Sequence, residues 1–161
     1  MSQLNLHGVT IKGVGAALPP TIVTNDDLSQ IVETDDEWIR SRSGFKQRRF
    51  LQGDETVTDL SIAAAKDALA YAGMQGEDID LIIHASGTSE SIYPCSASVV
   101  QHAIGASKAY GFDISMACSG LIYALGIASQ FIQTGKAQNA LIIAGDAHSR
   151  FVDWTDRSTC V

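Results

Sequence analysis

Cysteine is scarce in this chain. Three occur in 161 residues (Cys95, Cys118 and Cys160), an odd number with no CxxC spacing. That excludes a disulfide framework and leaves no zinc pattern. No metal and no resident cofactor is expected. A reducing compartment is the natural setting. Positive charge is also short: 11 Lys and Arg stand against 18 Asp and Glu, a net −7, which argues against non-specific binding to nucleic acid. No uninterrupted apolar run reaches the length of a membrane span. No charged segment followed by an apolar core opens the sequence, so a secretory leader is not expected. The expectation is a soluble, cytoplasmic protein that contacts neither nucleic acid nor membrane.

What is present is apolar and patterned. Hydrophobic residues make up 45% of the chain, enough for one domain with a sizeable α/β core. Val9 to Leu18 reads as a buried first strand. Its Gly13-Val14-Gly15 invites a dinucleotide-binding reading, but no third glycine follows at the required offset. Pro19-Pro20 cannot sit inside the helix that motif opens, so the reading is rejected. Thr24-Asn25-Asp26-Asp27 and Thr34-Asp35-Asp36-Glu37 both have the form of a capping box, and two short helices follow. Thr58 to Ala72 is a helical run closed by Gly73. Leu81-Ile82-Ile83-His84-Ala85 reads as a strand buried on both faces, with His84 a core histidine rather than a catalytic one. Ser86 to Ser91 is a polar loop, and Tyr93-Pro94 leads into a helix carrying Val99, Val100, Ala103 and Ile104. Ala140 to Gly145 is a further buried strand. Strands alternate with helices after about residue 55, which argues for a mostly parallel, helix-covered sheet. The chain closes on a β-prone run, Arg157 to Val161, which reads as an interruption rather than a natural domain end.

The centre of the sequence is Phe112-Asp113-Ile114-Ser115-Met116-Ala117-Cys118-Ser119-Gly120-Leu121. A strand-like run (109–114) precedes Cys118 and an apolar helical run (121–132) follows it. At such a junction, unpaired backbone N–H groups and the positive end of the helix dipole favour thiolate over thiol. Ala117, Ser119 and Gly120 leave room for a carbonyl to approach the sulfur, a cysteine counterpart of the nucleophile elbow. The competing reading is a buried, inert thiol, the usual state of a free cysteine.

A second cluster lies near the N-terminus, where Arg40, Arg42, Lys46, Arg48 and Arg49 crowd into ten residues. A solvated surface turn explains them, and so does a binding site. Trp38, one helical turn before Arg42, favours binding, because an indole beside a guanidinium offers a stacking surface for a flat ring.

Asp36-Glu37-Trp38-Ile39, Arg42-Ser43-Gly44, the Asp113–Gly120 segment and Asp153-Trp154-Thr155-Asp156-Arg157 together resemble the β-ketoacyl-acyl-carrier-protein synthase III family of thiolase-superfamily condensing enzymes. The resemblance covers essentially all 161 residues. It implies an α/β protein forming the N-terminal half of the duplicated thiolase-like fold, with a mixed, mostly parallel sheet. It also implies an acyltransferase that condenses an acyl-CoA primer with malonyl-acyl-carrier protein through an acyl-cysteine, initiating fatty-acid synthesis. Cys118 matches the nucleophile. Ser119 and Gly120 match the tight turn around it, where the Cys118 N–H serves as an oxyanion donor. Trp38 and Arg157 match the pair that sandwiches the CoA adenine, and Thr34 and Arg42 match positions near the nucleotide. Tyr93 matches the residue that reaches across a homodimer interface into the partner's acyl pocket. Many members carry Phe there, so the primer length stays open.

The same resemblance places the family's catalytic His and Asn in a second half-domain. His7, His84, His102 and His148 match none of its motifs. The chain by itself is therefore expected not to turn over. Two alternatives stay open: a related condensing enzyme for polyketide or quinolone starters, and a non-catalytic half-subunit that binds acyl thioesters or pairs with a second chain.

Overall fold

The computed structural model describes residues 8–159. In chain order its elements are β1 (Thr21–Thr24), α1 (Asn25–Ser29), α2 (Asp36–Ser43), β2 (Gln47–Phe50), α3 (Val57–Ala72), β3 (Leu81–Ala85), α4 (Ser96–Ala103), β4 (Tyr110–Ile114), α5 (Gly120–Gln133) and β5 (Ala140–Ala144). Contacts divide the chain into two compact units, one of residues up to 17 and 56–146, the other of residues 18–55 and 147 onward.

The larger unit is a parallel sheet of order β4-β3-β5, and Ile83 of the central strand pairs with Phe112 on one side and Ile142 on the other. All five residues of β3 are buried, as its continuous apolar run requires. Alternation divides them between two helix layers. Ile82 packs with Ala65 and Leu69 of α3 and Ala97 and Val100 of α4. Leu81, Ile83 and Ala85 pack with Ala124 and Ala128 of α5. Each fully buried Ile or Leu contributes about 1.5–3 kcal/mol, so these two clusters are the main source of the unit's stability. Helix α3 begins on a complete capping box formed by Thr56 and Asp59 and ends at Gly73, whose φ of 66° suits the left-handed C-terminal turn.

The first strand expected from the sequence does not form. Residues 9–18 have no regular secondary structure and are mostly exposed, and no strand pairs with them among the described residues. The run instead lies against α3. A Cβ at Gly13 would stand 2.6 Å from the Ala68 carbonyl oxygen, and one at Gly15 would stand 2.3 Å from the Ala68 nitrogen. The two glycines thus permit a close backbone crossing, which the rejected nucleotide motif had obscured. The Ala16 N–H donates to the Asp67 carboxylate at 3.0 Å and fixes the crossing.

The smaller unit contains the antiparallel pair β1–β2, with Thr21 opposite Phe50 and Thr24 opposite Gln47. Thr24 and Asp27 form the capping box of α1 as their spacing predicts. For α2 the start shifts by one residue. Asp35, not Thr34, is the N-cap, and its carboxylate accepts from the Trp38 N–H at 2.7 Å. An ionised carboxylate is a stronger acceptor than a hydroxyl and also faces the positive helix end.

Part of the basic cluster proves structural. Arg48 donates to the side-chain oxygen of Asn25 at 2.9 Å, and Arg49 donates to the Pro19 carbonyl at 3.1 Å. Asn25, 1% exposed, completes this hub by donating to Asp36 and to the Phe45 carbonyl, each at 2.8 Å. The β-prone ending is also corrected: residues 157–159 are in turns, held by Ser158 on Asp156 and Thr159 on the Asp153 carbonyl. Cys160 and Val161 lie outside the described residues, as does His7.

Candidate active site

The carboxyl ends of parallel strands are where α/β proteins place their ligands, and in the larger unit those ends carry Cys118. It sits in a short 3₁₀ turn, Ala117–Ser119, between β4 and α5, and is exposed. One backbone conformation and two contacts hold it there. Ala117 adopts φ of 45°, a left-handed conformation that costs a non-glycine residue about 1–3 kcal/mol and marks a constrained turn. Ser119 closes the turn, its hydroxyl donating to the Met116 carbonyl at 2.9 Å. Gly120 brings the first turn of α5 onto β3, because a Cβ there would lie 2.9 Å from the Ala85 Cβ. The strained residue is therefore the neighbour of the cysteine, a variation on the elbow expected from the sequence. An exposed sulfur beside a helix start can attack an electrophilic carbonyl. Cys95, at the start of α4, is only partly exposed, and its sulfur lies 3.1 Å from the Ser98 hydroxyl.

Three carboxylates brace the same end of the sheet, none of them legible in the sequence. Asp113 accepts from the Ser96 and Ala97 N–H groups at 2.9 and 2.8 Å and so caps α4. Glu90 accepts from the Val57 N–H and, at 3.0 Å, from the Thr58 hydroxyl, which ties the 86–95 loop to α3. Asp146 accepts from the Gly87 N–H at 2.7 Å and the Ser86 hydroxyl at 3.1 Å. Tyr93, in the loop that Glu90 anchors, is 90% exposed, with Ile92 beside it at 82%. No spacing rule could find these partners, since they lie 16 to 60 residues apart.

His84 is fully buried and faces α3, with its Nε2 2.9 Å from the Ser61 hydroxyl. The Ser61 hydroxyl also donates to the Val57 carbonyl at 2.8 Å, so the histidine Nε2–H donates to Ser61. Nδ1 is left as a buried acceptor without a partner. Burial pushes the imidazole pKa down, and the charges of Asp113, Glu90 and Asp146 only partly oppose it. It is a core histidine, as expected from the sequence, but its partner is a helix residue where a neighbouring strand or loop was expected.

In the smaller unit the guanidinium carbon of Arg42 lies 4.6 Å from the centre of the Trp38 ring and that of Arg157 lies 4.1 Å from it. Arg157 is 119 positions from Trp38 in sequence, and the fold brings the two together. The Thr34 hydroxyl oxygen is buried and unpaired, because Asp35 has taken the cap position. Among the described residues no group of three or more His, Cys, Asp or Glu is placed to hold a metal, and no helix is long and apolar enough to cross a membrane.

A parallel sheet packed between helices on both faces, with an exposed cysteine on the β4–α5 turn, defines the class: a thiolase-like α/β fold. Solved structures of that class superpose on the chain closely. The crystal structure of 3-oxoacyl-[acyl-carrier-protein] synthase III from Aquifex aeolicus matches with a TM-score of 0.92 at 49% identity, over 95% of this chain and 49% of that one. The priming β-ketosynthase of the R1128 polyketide pathway matches with a TM-score of 0.89 at 33% identity, over 92% of this chain and 44% of that one. The family model of 3-oxoacyl-[acyl-carrier-protein] synthase III matches residues 112–161. Among curated relatives, the β-ketoacyl-[acyl-carrier-protein] synthase III of Rhodospirillum centenum is 47% identical over 151 residues, 94% of this chain and 47% of the relative. The chain belongs to the β-ketoacyl-[acyl-carrier-protein] synthase III family. It spans about half the length of the curated relatives it matches.

Proposed function

We infer that the chain is the nucleophile-bearing, N-terminal half of a condensing acyltransferase that starts fatty-acid synthesis. The observation that carries this reading is the exposed Cys118 on a constrained strand-to-helix turn. In the acylation step the Cys118 sulfur attacks the thioester carbonyl of an acyl-CoA. The resulting oxyanion is met by the Cys118 backbone N–H, the sulfur–carbon bond to CoA breaks, and the cysteine proton leaves on the CoA thiol. Trp38, Arg157 and Arg42 supply the surface for the adenine ring. Thr34 belongs to this set by family position alone, since its hydroxyl oxygen is buried. Malonyl-acyl-carrier protein is the second substrate. Tyr93, presented on its braced loop, makes the homodimer contact and shapes the partner's acyl pocket, in a cytoplasmic enzyme.

Intact-mass spectrometry after incubation with acetyl-CoA tests the reading. A single acetyl adduct, absent in Cys118→Ser, is expected, and no 3-oxoacyl product on addition of malonyl-acyl-carrier protein. An adduct that persists in Cys118→Ser rules out the assigned nucleophile. A second reading, a starter enzyme of polyketide synthesis, has specific support in the likeness to the R1128 priming ketosynthase. It predicts the same adduct from a different preferred primer.

A further inference from the structure

The loop between β3 and α4 carries two large apolar side chains that stand out from the chain. Ile92 is 82% exposed and Tyr93 is 90% exposed. Ordering the backbone of a residue has an entropic cost, and these two side chains offset little of it by burial. The loop is therefore held by its polar ties. Among the described residues, only Glu90 of the stretch 89–94 hydrogen-bonds beyond the loop, while Ser91 donates to the Pro94 carbonyl at 2.9 Å inside it.

The tie made by Glu90 is longer than one bond. Its carboxylate accepts from the Val57 N–H and, at 3.0 Å, from the Thr58 hydroxyl, both in the first turn of α3. The Thr58 oxygen also lies 3.2 Å from the hydroxyl of Ser96, the first residue of α4. A hydroxyl has one proton, and Thr58 gives its own to Glu90, so Ser96 donates to Thr58. Bonds in such a row polarise one another, and a row that ends on a carboxylate is stronger for it. Ser96 is a firm anchor: it is buried, and its N–H donates to Asp113 at 2.9 Å. Residues 90 and 96, the two feet of the loop, are thus joined through a side chain of α3.

We propose that Thr58 is a positioning residue for the acyl pocket: its hydroxyl joins Glu90 to Ser96, closes the base of the 91–95 loop and fixes where Tyr93 projects. The proposal rests on the reading of Tyr93 as the residue that shapes the partner's acyl pocket. A side chain in a pocket wall sets the longest acyl chain that fits, so the row that places Tyr93 selects the primer by length. Thr58 itself stays outside the pocket, and its removal acts on the choice between primers rather than on the reacting sulfur.

The test uses the whole chain and follows acylation of Cys118 by intact mass, with acetyl-CoA and with octanoyl-CoA. Thr58→Val keeps the side-chain shape without the hydroxyl, Thr58→Ser keeps the hydroxyl, and Glu90→Ala removes the far end of the row. Thermolysin cleavage before Ile92, with no acyl-CoA added, reads how often the loop opens. Cleavage is expected to be about tenfold faster in Thr58→Val and Glu90→Ala, the value of one charge-assisted hydrogen bond, and close to the parent rate in Thr58→Ser. The ratio of the two acylation rates is expected to shift by about threefold or more in the same two variants and to return in Thr58→Ser. Parent-like cleavage in both folded variants overturns the tie. Faster cleavage with an unchanged ratio, both rates moving together, overturns the role in primer choice. Failure of the parent chain to be acylated by either primer overturns the acyltransferase reading and the pocket role with it, and cleavage still decides the tie.

Discussion

Gly120 stands against Ala85 so closely that a Cβ at 120 would lie 2.9 Å from the Ala85 Cβ. The first turn of α5 and the carboxyl end of β3 are thus fixed relative to one another, and Cys118 sits two residues before the contact. Gly120→Ala cannot be accommodated without moving α5 or bending β3. The expected result is a stability loss of about 1–3 kcal/mol, typical of overpacking, and slower alkylation of Cys118. Thermal melts and timed iodoacetamide labelling check both. Wild-type labelling rates in a well-folded variant would show that the contact does not place the sulfur.

Cys118 is exposed and Cys95 only partly so, with its sulfur on the Ser98 hydroxyl. Peptide mapping after brief iodoacetamide treatment is expected to find Cys118 modified first. Cys118→Ala should remove the fast phase and leave the melting temperature nearly unchanged, because an exposed side chain contributes little burial. Faster modification of Cys95 would count against the assigned nucleophile.

The buried His84 makes stability depend on pH. Burial holds its folded pKa below the ordinary 6.5. As pH falls below that value the unfolded chain takes up a proton that the folded chain resists, so stability is present above it and lost below. The melting temperature is expected to fall between pH 7 and 5, and to fall less in His84→Gln. Equal slopes for the two proteins would place the acid sensitivity elsewhere.

Asp80 joins the starts of all three parallel strands. It accepts from the Gln138 and Asn139 N–H groups at 2.9 and 3.0 Å and pairs with Lys108 at 3.1 Å. Burial raises its pKa, but these hydrogen bonds and the lysine charge outweigh it, so the net shift is downward. A depressed carboxylate stabilises above its unfolded pKa and loses that contribution as pH falls through its folded value. Asp80→Asn is expected to cost about 1–3 kcal/mol at neutral pH, since a neutral amide oxygen accepts less strongly and its NH₂ faces donors. Urea titration at pH 7 measures the loss, which should shrink in acid.

Local features carried as far as local physics reaches. The five-residue apolar run of β3, the Thr24–Asp27 capping box, the Gly73 stop and the strand-to-helix passage through Cys118 are each decided by neighbours in sequence. Asp35 displaced Thr34 as a cap because two acceptors one residue apart compete, and local pattern does not rank them.

Long-range pairing was beyond the sequence. Residues 9–18 have the composition of a strand, but a strand exists only where another lies beside it, and here α3 does instead. The same holds at the site. The residue types around Cys118, Trp38 and Arg157 named the chemistry, but their sequence positions could not say that Glu90, Asp113 and Asp146 brace the sheet end, or that Arg157 lies directly on Trp38. Hydrogen bonds and stacks form between groups a few ångströms apart in space, and only the tertiary fold brings residues 119 positions apart to that distance.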